Sequence, residues 1–180
     1  PVALELLEAL DFPLAAPSAN PFGSISPTTA KHVADYFSGT LDIILDGGSC
    51  DKGIESTIIG FENGEPILYR QGSTKTEDIE KITGVLKMRV HANNESVMAP
   101  GMLSKHYAPN TTTVLTDNIE AEIAKHQGKS IGVLQLKPTT LPAFVTAIEI
   151  LSQSGDLEEA AKNLYAAMHR LDHQNLDLII

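Results

Sequence analysis

Hydroxyl side chains are concentrated in one loop near the start of the chain, between Ala16 and Thr29. Four of them lie close enough in sequence to donate to one ligand: Ser18, Ser24, Ser26 and Thr28. Ser26 followed by Pro27 is typical of a helix start, with serine as the N-cap and proline as the first helical residue. Because the N–H groups and the dipole of a helix start attract anions, the loop predicts a phosphate-binding site. An ordinary capped helix after a proline-rich turn is the alternative interpretation.

Two further runs place polar groups at the ends of predicted strands. In the run 51–59 (DKGIESTII), a carboxylate and hydroxyls that include Ser56 precede an apolar strand, where they could hold a small polar ligand. Arg70 ends a later strand just before Gly72, and a guanidinium in that place can clamp a phosphate through paired N–H groups. A solvated strand edge and an ordinary surface charge are the corresponding alternatives.

The apolar run 98–109 (MAPGMLSKHYAP) ends in a cation, an imidazole and a phenol, namely Lys105, His106 and Tyr107. Such a loop is typical of a lid over a site, with a linker packed on the surface as the alternative. Charge also sets the surrounding segment 85–112 apart. It has three bases and one acid, whereas residues 1–84 have a net charge of −8 and residues 113–180 a net charge of −4. We therefore expect residues 85–112 to form an irregular linker between two α/β parts.

The elements that must position these residues follow from hydrophobic spacing and turn signals. In the first part we expect helices at 2–10, 28–37 and 76–82 and strands at 13–16, 41–45, 56–61 and 67–70, the last two joined through Asn63-Gly64 as a hairpin. In the last part we expect helices at 119–126 and 156–171 and strands at 112–115, 130–136, 145–151 and 176–180. Strands that alternate with helices predict a mostly parallel, doubly wound α/β sheet.

Composition excludes several classes of function. Thirteen bases against 23 acids give the 180 residues a net charge of −10, so a general nucleic-acid binder is not expected. A single cysteine, Cys50, excludes a disulfide framework and a thiolate metal cage. No run has the length of a membrane span, which predicts a soluble, cytoplasmic protein without a membrane partner.

Three features of the sequence are assigned no chemistry. Gly128-Lys129-Ser130 lacks the earlier glycine and the strand–helix context of a phosphate-binding P-loop. His169 and His173 are four residues apart on a predicted helix, but no third ligand is evident, so we expect a solvated helix end and no metal site. The chain begins at Pro1 and ends on an apolar strand, whereas natural termini are usually polar, and a fragment of a longer protein is therefore expected. A processed or unusually tidy native chain is the alternative.

The four runs together resemble the Sua5 branch of the YrdC/Sua5 family, the threonylcarbamoyl-AMP synthases. The resemblance is carried, in order, by APSAN with SPTTAKHV, by GIESTII, by LYRQG and by APGMLSKHYAP. It implies that residues 1–84 are the C-terminal part of a YrdC-like catalytic domain with a twisted mixed sheet. Residues 85–112 would be the linker or lid, and residues 113–180 a smaller, Rossmann-like α/β Sua5 domain that is itself truncated.

The family's reaction would make the chain part of a nucleotidyltransferase. L-threonine, bicarbonate or CO2, and ATP form L-threonylcarbamoyl-adenylate and pyrophosphate, the first step of the N6-threonylcarbamoyladenosine modification at position 37 of tRNA. The carbamate formed on the threonine amine attacks the α-phosphorus of ATP, and Mg2+ is expected to bind through the phosphates. The implied partners are these substrates, the machinery that transfers the threonylcarbamoyl group to tRNA, and tRNA or double-stranded RNA itself.

The resemblance also assigns residues. It places Ser18, Ser26, Arg70 and Tyr107 on ATP. Threonine would contact the Ala16 backbone and Ser56. Asn20 and His106 lie in the same motifs and are weaker candidates. No metal ligand is implied.

One departure from the family pattern bears on activity. The lysine/arginine motif of the family's N-terminal half has no equivalent here, so the chain alone is expected to bind ATP weakly and to make little product. Two other classes of function stay open: an RNA-binding or translation-associated module without catalysis, and an interaction domain with a degenerate site. The acidic charge disfavours the first, and formation of an AMP-containing product would exclude the second.

Overall fold

The computed structural model describes residues 2–89 and 106–180, and they form a mixed α/β structure. The first range contains α1 (Val2–Glu8), α2 (Ala30–Tyr36), β1 (Ile58–Glu62), β2 (Glu65–Arg70), α3 (Thr76–Thr83) and β3 (Lys87–Met88). The second contains α4 (Ile119–Lys125), β4 (Ile131–Gln135), β5 (Ala147–Ile150), α5 (Leu157–Asp172) and β6 (Leu178–Ile179). In the described residues, no helix combines the length and the apolar character needed to cross a bilayer.

The predicted hairpin is confirmed. β1 and β2 pair antiparallel, and β3 adds to β2 in parallel to give a small sheet of order β1-β2-β3. The turn residues Asn63 and Gly64 have φ angles of 53° and 84°, which are the left-handed values that a two-residue hairpin turn needs. Because β1 begins two residues after Ser56 and β2 ends at Arg70, the pairing of the two strands brings Ser56 and Arg70 to the same end of the hairpin.

Two predicted strands do not form. Residues 13–16 and 41–45 have no ladder partner among the described residues, and the side chains of Leu41, Ile43 and Leu45 are 45%, 78% and 55% exposed. An apolar run becomes a strand only where another strand supplies its hydrogen bonds. The predicted strand at 112–115 is reduced to a single bridge between Thr113 and Ile179.

The start of α2 also differs from the prediction. The helix begins at Ala30, and its N-cap is Thr29, whose side chain accepts a hydrogen bond from the His32 N–H. Ser26 is therefore not the N-cap, because its hydroxyl donates instead to Glu55, 29 residues away. Only the prediction of the N-cap is wrong, and Ser26 lies in a polar cluster with Glu55 instead.

The C-terminal sheet is parallel throughout, as predicted, with the order β5-β4-β6. Along β4, Ile131 and Val133 pack into one buried cluster with Ile123 of α4. Leu134 packs against a second cluster that contains Leu171 of α5. Because side chains alternate between the faces of a strand, α4 and α5 cover opposite faces of this sheet.

Helix α5 also packs against the first part of the chain, and this contact contradicts the expectation of a solvated end at His169. His169 is 3% exposed, its Nε2 atom lies 3.2 Å from the Ser26 carbonyl oxygen, and its ring stacks on His32 with centroids 3.9 Å apart. The buried histidine therefore anchors α5 to the hydroxyl-rich loop. No local pattern in the helix could have shown this long-range contact.

The histidine contact predicts an acid-sensitive stability. Burial, with His169 nearby, lowers the pKa of His32 from 6.5 to about 4, so His32 is neutral when folded. Between pH 6.5 and 4 the unfolded chain takes up a proton that the folded chain does not, and the free energy of unfolding should fall as the pH falls through that range. Thermal unfolding at stepped pH values measures this slope. His32→Gln should flatten the slope, and a slope as steep as that of the unmodified chain would contradict the assignment.

Candidate active site

Three of the four predicted hydroxyls, Ser18, Ser26 and Thr28, line one cavity of about 190 Å³ together with part of the run 51–59, whereas Ser24 and Ser56 are not among its lining residues. The loop before α2, the loop before β1 and helix α5 each contribute to its wall. The lining residues are Ser18, Ala19, Ser26, Pro27, Thr28, Cys50, Lys52, Gly53, Ile54, Glu55 and Tyr165. Two of the predicted nucleotide ligands, Ser18 and Ser26, therefore lie on the same cavity.

Glu55 connects the hydroxyl loop to the strand end. Its Oε1 atom accepts a hydrogen bond of 2.5 Å from the Ser26 hydroxyl, and its Oε2 atom lies 4.0 Å from Nη2 of Arg70. Ser26 is only 5% exposed, so water has little access to its hydroxyl. Ser26 and Arg70, two side chains predicted to bind an anion, thus both contact the Glu55 carboxylate.

Arg70 lies at the end of β2 and is the centre of the polar network. Nε donates to the Ser56 carbonyl oxygen at 3.1 Å, Nη2 lies 3.3 Å from the Ser56 hydroxyl, and Nη1 donates to the Tyr107 hydroxyl at 2.9 Å. The side chain is 13% exposed. These contacts fix the plane of the guanidinium beside Glu55. Glu55 lines the cavity, but Arg70, Ser56 and Tyr107 do not.

Tyr107 reaches the network from the end of the predicted lid. Its backbone φ angle is 55°, which is uncommon for a residue with a bulky side chain. The ring stacks on Tyr165 of α5 with centroids 5.6 Å apart, and this contact helps to hold the residue in place. Burial raises the pKa of the Tyr107 phenol and, more strongly, that of Tyr165. Both phenols are therefore neutral, and Tyr107 keeps a proton to donate while it accepts from Arg70.

The weaker candidates lie beside the cavity rather than on its wall. The Asn20 side chain donates to the carbonyl oxygens of Pro21 and Ser24 and so braces the loop. His106 packs edge-on against Phe22 and against Tyr107, and its buried Nδ1 atom has no hydrogen-bond partner in the described ranges. Ala16 is exposed and is not among the lining residues.

Two residues of the site were not selected from the sequence. Glu55 belongs to the run 51–59, whose carboxylate and hydroxyls are predicted to hold a small polar ligand, but the prediction does not single out this residue. Tyr165 stands among the small and aliphatic residues of α5, and its size and phenol were the available signal. Their contacts can be seen only in the folded chain, because Glu55 bonds to Ser26, 29 residues away in sequence, and Tyr165 stacks on Tyr107, 58 residues away.

The arrangement can bind an anion and a cation side by side. Serine hydroxyls, the Arg70 guanidinium, the Tyr107 phenol and the Lys52 ammonium on the wall are donors for an anion such as phosphate. Glu55 is the only carboxylate that lines the cavity among the described residues. Within the same residues no group of three or more histidine, cysteine or acidic side chains could hold a metal ion.

Two family models match adjacent parts of the chain. One, described as telomere recombination and named for Sua5, YciO and YrdC, matches residues 1–72. The other, described as the C-terminal domain of threonylcarbamoyl-AMP synthase, matches residues 74–180.

Curated relatives named threonylcarbamoyl-AMP synthase match over nearly the whole chain. The Pyrococcus abyssi protein is 36% identical over 99% of this chain and 55% of its own length. The Bacillus subtilis and Schizosaccharomyces pombe proteins are 33% and 34% identical over 100% of this chain and over 54% and 50% of their own lengths. The chain thus spans about half the length of the curated relatives it matches.

Solved structures show the same fold. The crystal structure of P. abyssi Sua5 complexed with L-threonine superposes with a TM-score of 0.83 at 36% identity, covering 99% of this chain and 54% of the other. A variant of the same protein, in which an adjacent histidine and tyrosine are both alanine, gives a TM-score of 0.79 at 34% identity. By sequence and by structure, the chain belongs to the Sua5/YrdC family.

Proposed function

We propose that this chain provides part of the active site of an L-threonylcarbamoyl-adenylate synthase. The carrying observation is a polar network in which Glu55 accepts from Ser26 and lies beside Arg70, and Arg70 donates to Tyr107. Ser18, Ser26 and Glu55 also line one cavity. An adenylyl transfer needs donors that neutralise a triphosphate and hold it in line with a nucleophile, and the three hydroxyls and the guanidinium are such donors. The names of the relatives and the threonine complex of the P. abyssi protein support the same reaction.

In this proposal the substrates are ATP, L-threonine and bicarbonate or CO2. The threonine nitrogen bonds to the carbon of CO2 and loses a proton, and an oxygen of the resulting carbamate attacks the α-phosphorus. The bond from that phosphorus to the bridging oxygen breaks, and pyrophosphate leaves. Arg70 and the two serines would hold the phosphates, while Ser56 and the Ala16 backbone would hold threonine. Mg2+ would enter with the phosphates.

The position of Tyr107 supports a closing role for the segment 85–112. The chain has one adjacent histidine–tyrosine pair, His106-Tyr107, and the same pair of residue types was replaced in the P. abyssi variant. Tyr107 belongs to this segment, and its hydroxyl accepts a hydrogen bond from Arg70. We therefore retain the division into a catalytic part (1–84), a lid (85–112) and a Rossmann-like domain (113–180), in a cytoplasmic enzyme that supplies the tRNA-modifying machinery.

Product formation tests the function directly. The protein expressed from its complete reading frame is incubated with ATP, L-threonine and bicarbonate, and the product is identified by mass spectrometry. We expect threonylcarbamoyl-AMP and an equal amount of pyrophosphate, both dependent on all three substrates. Hydrolysis of ATP alone, or adenylate formation without threonine, would exclude the proposal.

Ser56→Ala should separate the two substrates. Its hydroxyl is exposed at the site and lies 3.3 Å from Arg70, so its loss removes one hydrogen bond to threonine without removing a phosphate donor. We expect KM for threonine to rise about five- to tenfold, the effect of one such bond, and KM for ATP to change less than twofold. Steady-state kinetics with each substrate varied in turn give both values. Ser49→Ala, an exposed serine outside the cavity wall, is the control, and a change confined to KM for ATP would refute the assignment.

A further inference from the structure

The donor inventory of Ser26 limits what it can bind. A serine hydroxyl has one proton, and in this structure Ser26 gives that proton to Oε1 of Glu55 at 2.5 Å. The same proton cannot be donated to a phosphate oxygen at the same time. Ser26 can therefore act on a nucleotide only after its bond to Glu55 has been broken.

Glu55 also reduces the attraction of Arg70 for an anion. Its Oε2 atom lies 4.0 Å from Arg70 Nη2, and both side chains are largely withdrawn from solvent, at 25% and 13% exposure. A carboxylate at that position repels a triphosphate as well as competing for its donors. Ser26 and Arg70 therefore already face an anionic group of the protein itself, the Glu55 carboxylate.

The ligand that could move Glu55 is a cation. Amino acids carry an α-ammonium group at neutral pH, and an ammonium has three donors and no acceptor. Glu55 directly precedes Ser56 and is the only carboxylate on the described wall of the cavity. An amino acid bound beside Ser56 would thus find its counter-ion in Glu55.

We propose that Glu55 couples the two substrate sites: the threonine ammonium takes its carboxylate, and Ser26 and Arg70 are released to bind the triphosphate. The inference rests on the proposed function and extends it with a residue and an order of events. Threonine should therefore tighten nucleotide binding, and by reciprocity the nucleotide should tighten threonine binding. The coupling should depend on the charge of residue 55.

Binding without turnover tests the coupling. The dissociation constant of α,β-methylene-ATP, which cannot release pyrophosphate, is measured by calorimetry with the protein from its complete reading frame, in Mg2+ buffer with and without saturating threonine. We expect threonine to tighten binding about fivefold or more in the unmodified protein. 2,3-Dihydroxybutanoate, which has a hydroxyl in place of the amine, should have no such effect.

Glu55→Gln should bind the nucleotide about fivefold more tightly without threonine, because about 1 kcal/mol of attraction between Glu55 and Arg70 no longer competes with the phosphates. The variant should also lose the threonine effect. The matched control is Glu62→Gln. Glu62 lies on the same hairpin, accepts from the Tyr69 hydroxyl and pairs with Arg89, but it is outside the cavity wall. Its variant should keep the full coupling.

Three results would overturn the inference. Undiminished coupling in Glu55→Gln would show that the carboxylate does not carry it. Weaker nucleotide binding by Glu55→Gln without threonine would show that Glu55 supports the nucleotide, as a magnesium ligand does. If the unmodified protein bound neither nucleotide nor threonine, the proposed function would fail together with the inference.

Discussion

Arg70→Ala is expected to lower kcat/KM for threonylcarbamoyl-AMP formation by about a hundredfold or more, mainly by raising KM for ATP. Among its contacts with described residues, the change removes those to the Ser56 carbonyl, the Ser56 hydroxyl and the Tyr107 hydroxyl. It also leaves Glu55 without the guanidinium 4.0 Å from its carboxylate. Hydrogen bonds to a charged group contribute about 1.5–3 kcal/mol each, so the loss of two such bonds to the bound triphosphate would weaken ATP binding by about a hundredfold or more.

Steady-state kinetics with ATP varied at saturating threonine and bicarbonate measure this effect. Arg170→Ala is the control, because the Arg170 guanidinium is held at the surface by Glu149 through bonds of 2.8 and 2.7 Å, away from the cavity. Arg70→Lys should recover only part of the loss, since an ammonium lacks the planar set of donors that meets both Ser56 and Tyr107. Unchanged KM for ATP in Arg70→Ala would remove the guanidinium from the proposed nucleotide site.

Gly53→Ala should have the largest effect on folding. Gly53 is buried where its loop touches α5, and an added Cβ atom would lie 1.9 Å from the Lys162 carbonyl oxygen and 2.4 Å from its carbon. These are backbone atoms of a helix and cannot turn aside as a flexible side chain can. We expect the free energy of unfolding to fall by about 3 kcal/mol, the upper end of the usual cost of overpacking, and the activity to fall with it.

Urea denaturation measures the change, and the chain offers a close control. At Gly47, six residues earlier, an added Cβ would meet only the Val2 side chain at 3.9 Å, which is an ordinary contact. Gly47→Ala should therefore alter stability by less than about 0.5 kcal/mol. Equal stabilities for the two alanine variants would mean that α5 does not press on this loop.

Local patterns predicted much of the fold, and long-range partners account for the rest. The hairpin was predictable because Asn63-Gly64 sets its turn within four residues, and α5 because its apolar stripe and the Asp156 N-cap are local. The prediction of a strand at 41–45 was wrong, because these residues are apolar enough for a strand but have no partner strand in the described residues. The N-cap of α2 was misplaced because the Ser26 hydroxyl bonds to Glu55 rather than to its own helix.

The site shows the same division. Ser26, Arg70 and Tyr107 were selected from separate runs, and the structure brings them into one network. The residues that connect them, Glu55 and Tyr165, were not selected individually, because their partners Ser26 and Tyr107 are far from them in sequence. Residues of this kind are recognised by their contacts in the folded chain. The contact of Tyr165 with Tyr107, for example, depends on how α5 packs against the first part of the chain.

Helix α5 has a consequence for how such enzymes can be recombined. It lies in the part of the chain matched as the C-terminal domain, yet its Tyr165 forms cavity wall and its His169 bonds to the backbone of Ser26. A chimera that exchanged this region between homologues would bring a foreign wall to the cavity. The shape and polarity of the cavity would then depend on the source of the helix as well as on the source of the serines.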